Sequence, residues 1–219
     1  MTETAASARQ PGRPRSQEAD TAILCAALDL LLERGAAETS IEQVAQRAGV
    51  TRATIYRRFA DKTALLIQSI EAVHEEDGLA PLEWPDIDRM LDDWAGYLSR
   101  PGNRRMLRRL YGAVDDYPEL LRTYRDSHGG RRASAERATL ARAVADGQFP
   151  PEQDVEVLQQ VLNGAVLHHL GARPDTENAV EVKTFLSAVL QQTGYRPPAD
   201  NAKRPRHEGR GRQAGAAAV

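Results

Sequence analysis

Between residues 18 and 193 the apolar side chains recur three or four positions apart, and they nowhere alternate with polar ones long enough to make a strand. A chain with that period can bury its apolar stripes only by packing helix on helix, so the fold class is all-α. Leu24, Leu28, Leu31 and Leu32 mark the first stripe, which stops at Gly35, a residue suited to the positive φ that follows a helix. A short helix starts at Ser40, where the serine and Gln43 form a capping box. Ile41, Val44 and Ala45 supply its buried face and Gly49 ends it. Thr51 caps a second short helix bearing Ile55 and Phe59, and Asp61 caps one running through Leu65, Leu66 and Ile70. The spacing then predicts helices over about 86–99, 103–115, 119–145, 154–170 and 176–192, with breaks near Pro101, Pro118, Pro150 and Pro174. The expectation is eight or nine helices.

Composition narrows the function classes. Aromatic residues are 5%, too few for a platform that stacks single-stranded bases. The net charge of −2 excludes a protein that coats DNA by bulk charge. That charge is uneven. Residues 1–62 carry nine basic and eight acidic side chains, residues 63–195 fourteen and twenty-one, and residues 196–219 six and two. Any contact with nucleic acid is therefore expected from the first segment. The single cysteine, Cys25, rules out an intrachain disulfide and a cysteine-rich zinc site, and is expected as a small buried hydrophobe. No apolar run is long enough to span a membrane, and Met1 to Gln17 lacks a secretory hydrophobic region, so a cytoplasmic protein with no membrane partner is expected. Residues 1–16 and 196–219 are rich in Pro, Ala, Gly and Arg, and read as a disordered basic arm and a disordered basic tail.

The most informative segment is Ser40 to Phe59, SIEQVAQRAGVTRATIYRRF. Two short helices meet at Gly49, with Ala45 small enough for close approach and Val50 and Ile55 filling the angle between them, which makes a helix-turn-helix. Rotation by 100° per residue puts Ile55 and Phe59 inward. Arg52 with Tyr56, and Ala53 with Arg57, form two rows on the opposite face. Arg52 has the donors for guanine O6 and N7, and Ala53 and the Thr54 methyl suit a thymine methyl. Thr51, Tyr56 and Arg58 suit phosphate oxygens, as do Ser40 and Lys62 at other helix starts.

From about Ala22 to Ile70 the chain resembles the TetR family of bacterial transcriptional repressors. The resemblance rests on LLLERGAAETS followed by IEQVAQRAGVTRATIYRRFADKTALL. It implies a three-helix DNA-binding head over residues 17–62 and a helical effector-binding and dimerisation body over 63–195. It places Ser40, Thr51, Arg52, Ala53, Thr54, Tyr56, Arg57 and Lys62 at the family's DNA-contact positions. Many members carry His or Trp where this chain has Arg57 and Arg58. The implied function is a regulator, most often a repressor, and not an enzyme. It would bind a palindromic double-stranded operator as a homodimer and be released by a small-molecule effector; the alternative reading is an activator or a ligand-independent DNA-binding or architectural protein.

The body offers further expectations. Trp94, Tyr97 and Leu98 make one apolar-aromatic face and Leu107, Leu110, Tyr111 and Val114 another. Trp94, Tyr97, Leu98, Leu107 and Tyr111 are candidates to line a pocket for a hydrophobic or aromatic ligand. The last two helices are apolar over more than one narrow stripe. Leu158, Val161, Leu162, Ala165, Phe185, Leu186 and Val189 are expected at a dimer interface, which the family builds as a four-helix bundle across a two-fold axis. His168 and His169 point about 100° apart, too far for one metal, and His74 with Glu71, Glu75 and Glu76 reads as a solvated acidic run. No cofactor and no metal is expected. The arginines of Gly12-Arg13-Pro14-Arg15, and Lys203, Arg204, Arg206, Arg210 and Arg212 of the tail, are candidate auxiliary DNA contacts.

Overall fold

A computed structural model describes residues 17–75 and 82–198, the side chains of 73–75 apart. The basic arm and most of the tail lie outside the described residues, as do Glu76 and the side chains of His74 and Glu75 from the acidic run. Those described form ten α-helices and one π-helical turn, with no strand, as the all-α expectation requires.

The head is α1 (Gln17–Arg34), α2 (Ile41–Arg47) and α3 (Arg52–Tyr56), and α4 (Lys62–Glu75) leads out of it. Ile23, Ala27, Leu30 and Leu31 of α1 close over Val44, Ile55, Phe59, Leu65, Leu66 and Ile70, all buried. Burying each of the larger side chains contributes about 1.5–3 kcal/mol. The core side of α1 is rotated from the expected stripe, because Leu24 and Leu28 are only partly buried and Ile23, Ala26 and Ala27 face inward. This helix is apolar on nearly every side, so its neighbours decide which side is buried. Cys25 accordingly lies on the exposed side, not in the core.

All three expected caps form, and at the start of α4 Asp61 Oδ1 accepts from the Ala64 amide at 2.8 Å. The Ser40 Oγ accepts from the Gln43 amide at 3.2 Å while the Gln43 side chain accepts from the Ser40 amide at 2.9 Å. Thr51 Oγ1 accepts from the Thr54 amide at 3.2 Å. Gly49, at φ 66°, makes the turn between α2 and α3 in a conformation that side chains resist. Val50 then donates back to the Ala45 carbonyl at 3.0 Å.

The body comprises α5 (Ile87–Leu98), α6 (Pro101–Gly112), α7 (Pro118–Tyr124), the turn Arg125–Gly129, α8 (Gly130–Ala145), α9 (Val155–Ala172) and α10 (Ala179–Gln192). Pro101 and Pro118 sit inside the first turns of α6 and α7, where a missing N–H costs nothing. The expected single helix over 119–145 is instead two, broken at Ser127 (φ −106°, ψ −113°). The Ser127 hydroxyl donates to the Thr123 carbonyl at 2.8 Å. Gly129 and Gly130 make room for the break. A Cβ on Gly129 would come within 2.6 Å of the Tyr124 ring, and one on Gly130 would collide with the Arg125 carbonyl.

Buried polar groups fasten the body. Arg104, with no exposed surface, meets Asp175 at 3.2 Å and Glu177 at 3.4 Å, and Arg108 makes a bidentate pair with Asp175 at 2.8 Å. The α9–α10 connection is thereby tied to α6. Val182, Leu186 and Leu190, four apart, bury one side of α10, which packs on α5. Head and body meet where Arg109 donates to the Leu32 and Glu33 carbonyls at 3.3 and 2.7 Å.

Candidate nucleic-acid interface and effector cavity

In α3, Ile55 is fully buried and Phe59 nearly so, which orients the short helix from within. Thr51, Arg52, Ala53, Tyr56 and Arg57 consequently lie on one exposed face, with Tyr56 58% exposed despite its size. Arg52 touches Glu42 of α2 at 3.3 Å, but both side chains are largely exposed, so the pair is weak and readily exchanged for another acceptor. Ser40 is exposed at the start of α2, and Thr54 is half-buried with its hydroxyl 3.0 Å from that of Thr51. This surface combines a planar donor fork, a methyl, a phenol and a second cation. Such groups read base edges and hold phosphates.

Two expected phosphate ligands are committed elsewhere. Arg58 is almost wholly buried, pairs with Asp20 of α1 and donates to the Thr54 carbonyl at 3.1 Å. It therefore fastens α3 to α1. The Lys62 ammonium donates to the Ala36 carbonyl at 2.9 Å, the Ala37 carbonyl at 3.5 Å and the Tyr117 hydroxyl at 3.1 Å. Its three donors are directed into the protein, where they join the α1–α2 loop to the start of α7. Neither partnership was visible in spacing, because each joins residues far apart in the chain.

The body forms a partly open cavity of about 640 Å³. Trp94, Tyr97 and Leu98 of α5 and Leu107 and Tyr111 of α6 all line it, together with Tyr124, Val166 and Leu170. All five residues expected to line a pocket are thus brought together. Sequence reasoning missed the wall supplied by α8 and α9: Arg132, Glu136, Gln159 and Asn163. Glu136 has no exposed surface, and its carboxylate accepts from Gln159 Nε2 at 2.9 Å and from Asn163 Nδ2 at 3.1 Å. Burial pushes its carboxyl up to about 7, against the lowering effect of those two amides and of Arg132 and Arg137. A signal was available, since Glu136 stands on the same helical row as Leu140 and Ala143, the side that α8 buries. The buried Trp94 indole N–H has no hydrogen-bond partner.

The dimer expectation needs correction residue by residue. Leu158, Leu162 and Leu186 point into their own protomer and are essentially inaccessible. Phe185 is half-buried and stacks on His169 at 4.0 Å, and Ala165 and Val189 are half-buried. Of the seven, Val161 alone is exposed, at 43%. Val157, Leu167 and Val180 are exposed too, although Leu167 belongs to the cavity wall. With Val161 these are four of the six large hydrophobics left exposed among the described residues. Val157 and Val161, four positions apart on α9, are the exposed apolar pair on one side of that helix. His168 is exposed and His169 buried, as their angular separation requires, and desolvation holds the His169 imidazole below its usual range. Among the described residues no group of His, Cys, Asp and Glu is arranged to hold a metal, and no helix is long and apolar enough to cross a membrane.

A small head presenting one cationic helix face, joined to a helical body around a cavity, defines a helix-turn-helix transcriptional regulator. The family model for bacterial regulatory proteins of the tetR family matches residues 23–68, and that for the tetracyclin repressor-like C-terminal domain matches residues 84–189. The class A tetracycline repressor from transposon 1721 of Escherichia coli is 33% identical over 184 residues, 77% of each chain. With these matches the chain belongs to the TetR family. The uncharacterized HTH-type transcriptional regulator YdeS of Bacillus subtilis is 29% identical over 183 residues, covering 80% of this chain and 89% of that one. The solved structure of Salmonella enterica GusR shares the fold at a TM-score of 0.63, with 18% identity over 83% of this chain and 99% of that one.

Proposed function

We propose that this protein is a cytoplasmic repressor that binds a palindromic operator as a homodimer and lets go when a small molecule fills its cavity. The observation that carries the reading is the split of α3, with Ile55 buried and Thr51, Arg52, Ala53, Tyr56 and Arg57 outward. A recognition helix in the major groove needs that split, because its inner face must be rigid for its outer face to read bases. The proposed contacts are Ser40, Thr51, Arg52, Ala53, Thr54, Tyr56 and Arg57. The head then spans residues 17–62 and the body 63–195.

Val157 and Val161, exposed on one row of α9, and Val180, exposed at the start of α10, support pairing of two copies. A two-fold dimer carries two recognition helices and so favours an operator with two-fold symmetry. The cavity supports an effector site. An effector releases DNA only to the extent that it binds the DNA-incompetent arrangement more tightly than the competent one. Selection of random duplexes on the purified protein, read by sequencing, tests the reading. A palindromic consensus is expected; no enrichment over background would sink it.

A further inference from the structure

Of the ionisable side chains that line the cavity, the one with no exposed surface is an acid. Glu136 is wholly inaccessible, and its partners are two neutral amides, Gln159 and Asn163. Among the described residues no cation lies within ion-pair distance of it. The arginines of the cavity are otherwise engaged. Arg132 pairs with Asp93 at 2.6 Å and lies over the Tyr97 ring at 4.7 Å. Arg125 and Arg137 are exposed. A buried carboxylate whose hydrogen bonds come only from two neutral amides, with no cation in direct contact, is costly to keep. Four aromatic residues, Trp94, Tyr97, Tyr111 and Tyr124, stand among the aliphatic side chains of the remaining walls, and ring faces attract cations. Trp94 adds a buried N–H that still wants an acceptor.

We infer that the effector, if the cavity is the effector site proposed above, is a lipophilic amine or other organic cation whose charged nitrogen seats against Glu136. Its apolar body then lies among Trp94, Tyr97 and Tyr111. Such a ligand brings the missing countercharge with it. A carboxylate ligand would instead set two anions together in a desolvated site, and it would have to stay near the exposed arginines.

Three probes on one skeleton test this: 1-pyrenemethylammonium, 1-pyrenemethanol and 1-pyrenecarboxylate, titrated into the full-length protein by fluorescence. The amine is expected to bind at least about tenfold tighter than the alcohol, the minimum for a buried charge-assisted hydrogen bond, and the carboxylate weakest. Glu136→Gln should remove the preference for the amine over the alcohol, and a cooperative urea transition of the variant reports that it is folded. The ranking in the wild-type protein needs no variant. Equal binding of amine and alcohol, or tightest binding of the carboxylate, overturns the inference and leaves the cavity as an effector site. If none of the three binds, the effector reading of the cavity falls together with the inference.

Discussion

Head and body solve opposite problems with the same element. The head packs α1 and two short helices around Ile23, Leu30, Val44, Ile55 and Phe59, keeps a single buried cation, Arg58 paired with Asp20, and places Arg52 and Arg57 outside. The body is larger and keeps charge inside: Arg104 without exposed surface, and Glu136 beside a cavity of about 640 Å³. A surface that reads a rigid duplex must itself be rigid, so the head has every reason to fill its interior. A body that accommodates a small molecule must leave space, and the polar groups around that space then define what fits it. The contrast teaches where each half is vulnerable. Changes inside the body act on folding, and changes outside the head act on DNA.

The strongest way to break this contrast lies in α10 and α9. Leu186→Asp buries an unpaired charge and should abolish cooperative unfolding, at a cost of several kcal/mol. Val161→Asp, on the outer face of α9, should leave the thermal transition almost unmoved and convert dimer to monomer in sedimentation. A folded Leu186→Asp protein, or a dimeric Val161→Asp protein, would show that the two sides of these helices are misassigned.

Next in size is Glu136. Its folded carboxyl is raised to about 7 from an ordinary 4.5. The stability that goes with its retained proton is therefore complete below about pH 4.5, and is lost as pH rises through about 7. Glu136→Gln keeps the neutral form at every pH. It should stabilise the protein at pH 8 by on the order of 3 kcal/mol and hardly at all at pH 4.5, read from urea midpoints. A variant destabilised at pH 8 would mean that the carboxylate already has its countercharge.

The head predicts smaller effects on DNA. Arg52→Ala should weaken the selected operator by about 1–3 kcal/mol and relax the preference at one base pair. Unchanged affinity would remove Arg52 from the reading face. The smallest effect separates Arg57 from Lys62. Arg57→Ala should lower the salt slope of binding by about one phosphate equivalent. Lys62→Met should leave the slope alone and reduce stability by about 1 kcal/mol, because its ammonium is bonded to protein carbonyls and a phenol. A lower slope for Lys62→Met would restore its role as a phosphate ligand.

Particular residues show how much was legible in advance. Ser40, Thr51 and Gly49 announced the turn between α2 and α3, because a cap or a glycine turn is decided within three or four residues. Trp94, Tyr97, Leu98, Leu107 and Tyr111 announced two apolar faces, and both line the cavity. Leu158, Leu162 and Leu186 misled, because a helix apolar on two sides does not say which side meets its own protomer. The break at Ser127 was hidden behind an unbroken helical period, although Gly129-Gly130 stood beside it.

The sequence by itself therefore determined the all-helical class, the helix-turn-helix and the outward face of α3, since caps, turns and a 3.6-residue period act over a few neighbouring positions. Tertiary structure alone decided the partners of the charged residues. Arg58 meets Asp20 38 positions away, Lys62 meets Tyr117 55 positions away and Glu136 meets Gln159 23 positions away. A charge is either a surface contact or an internal tie according to what the fold carries to it, and no local pattern encodes a partner brought from that distance.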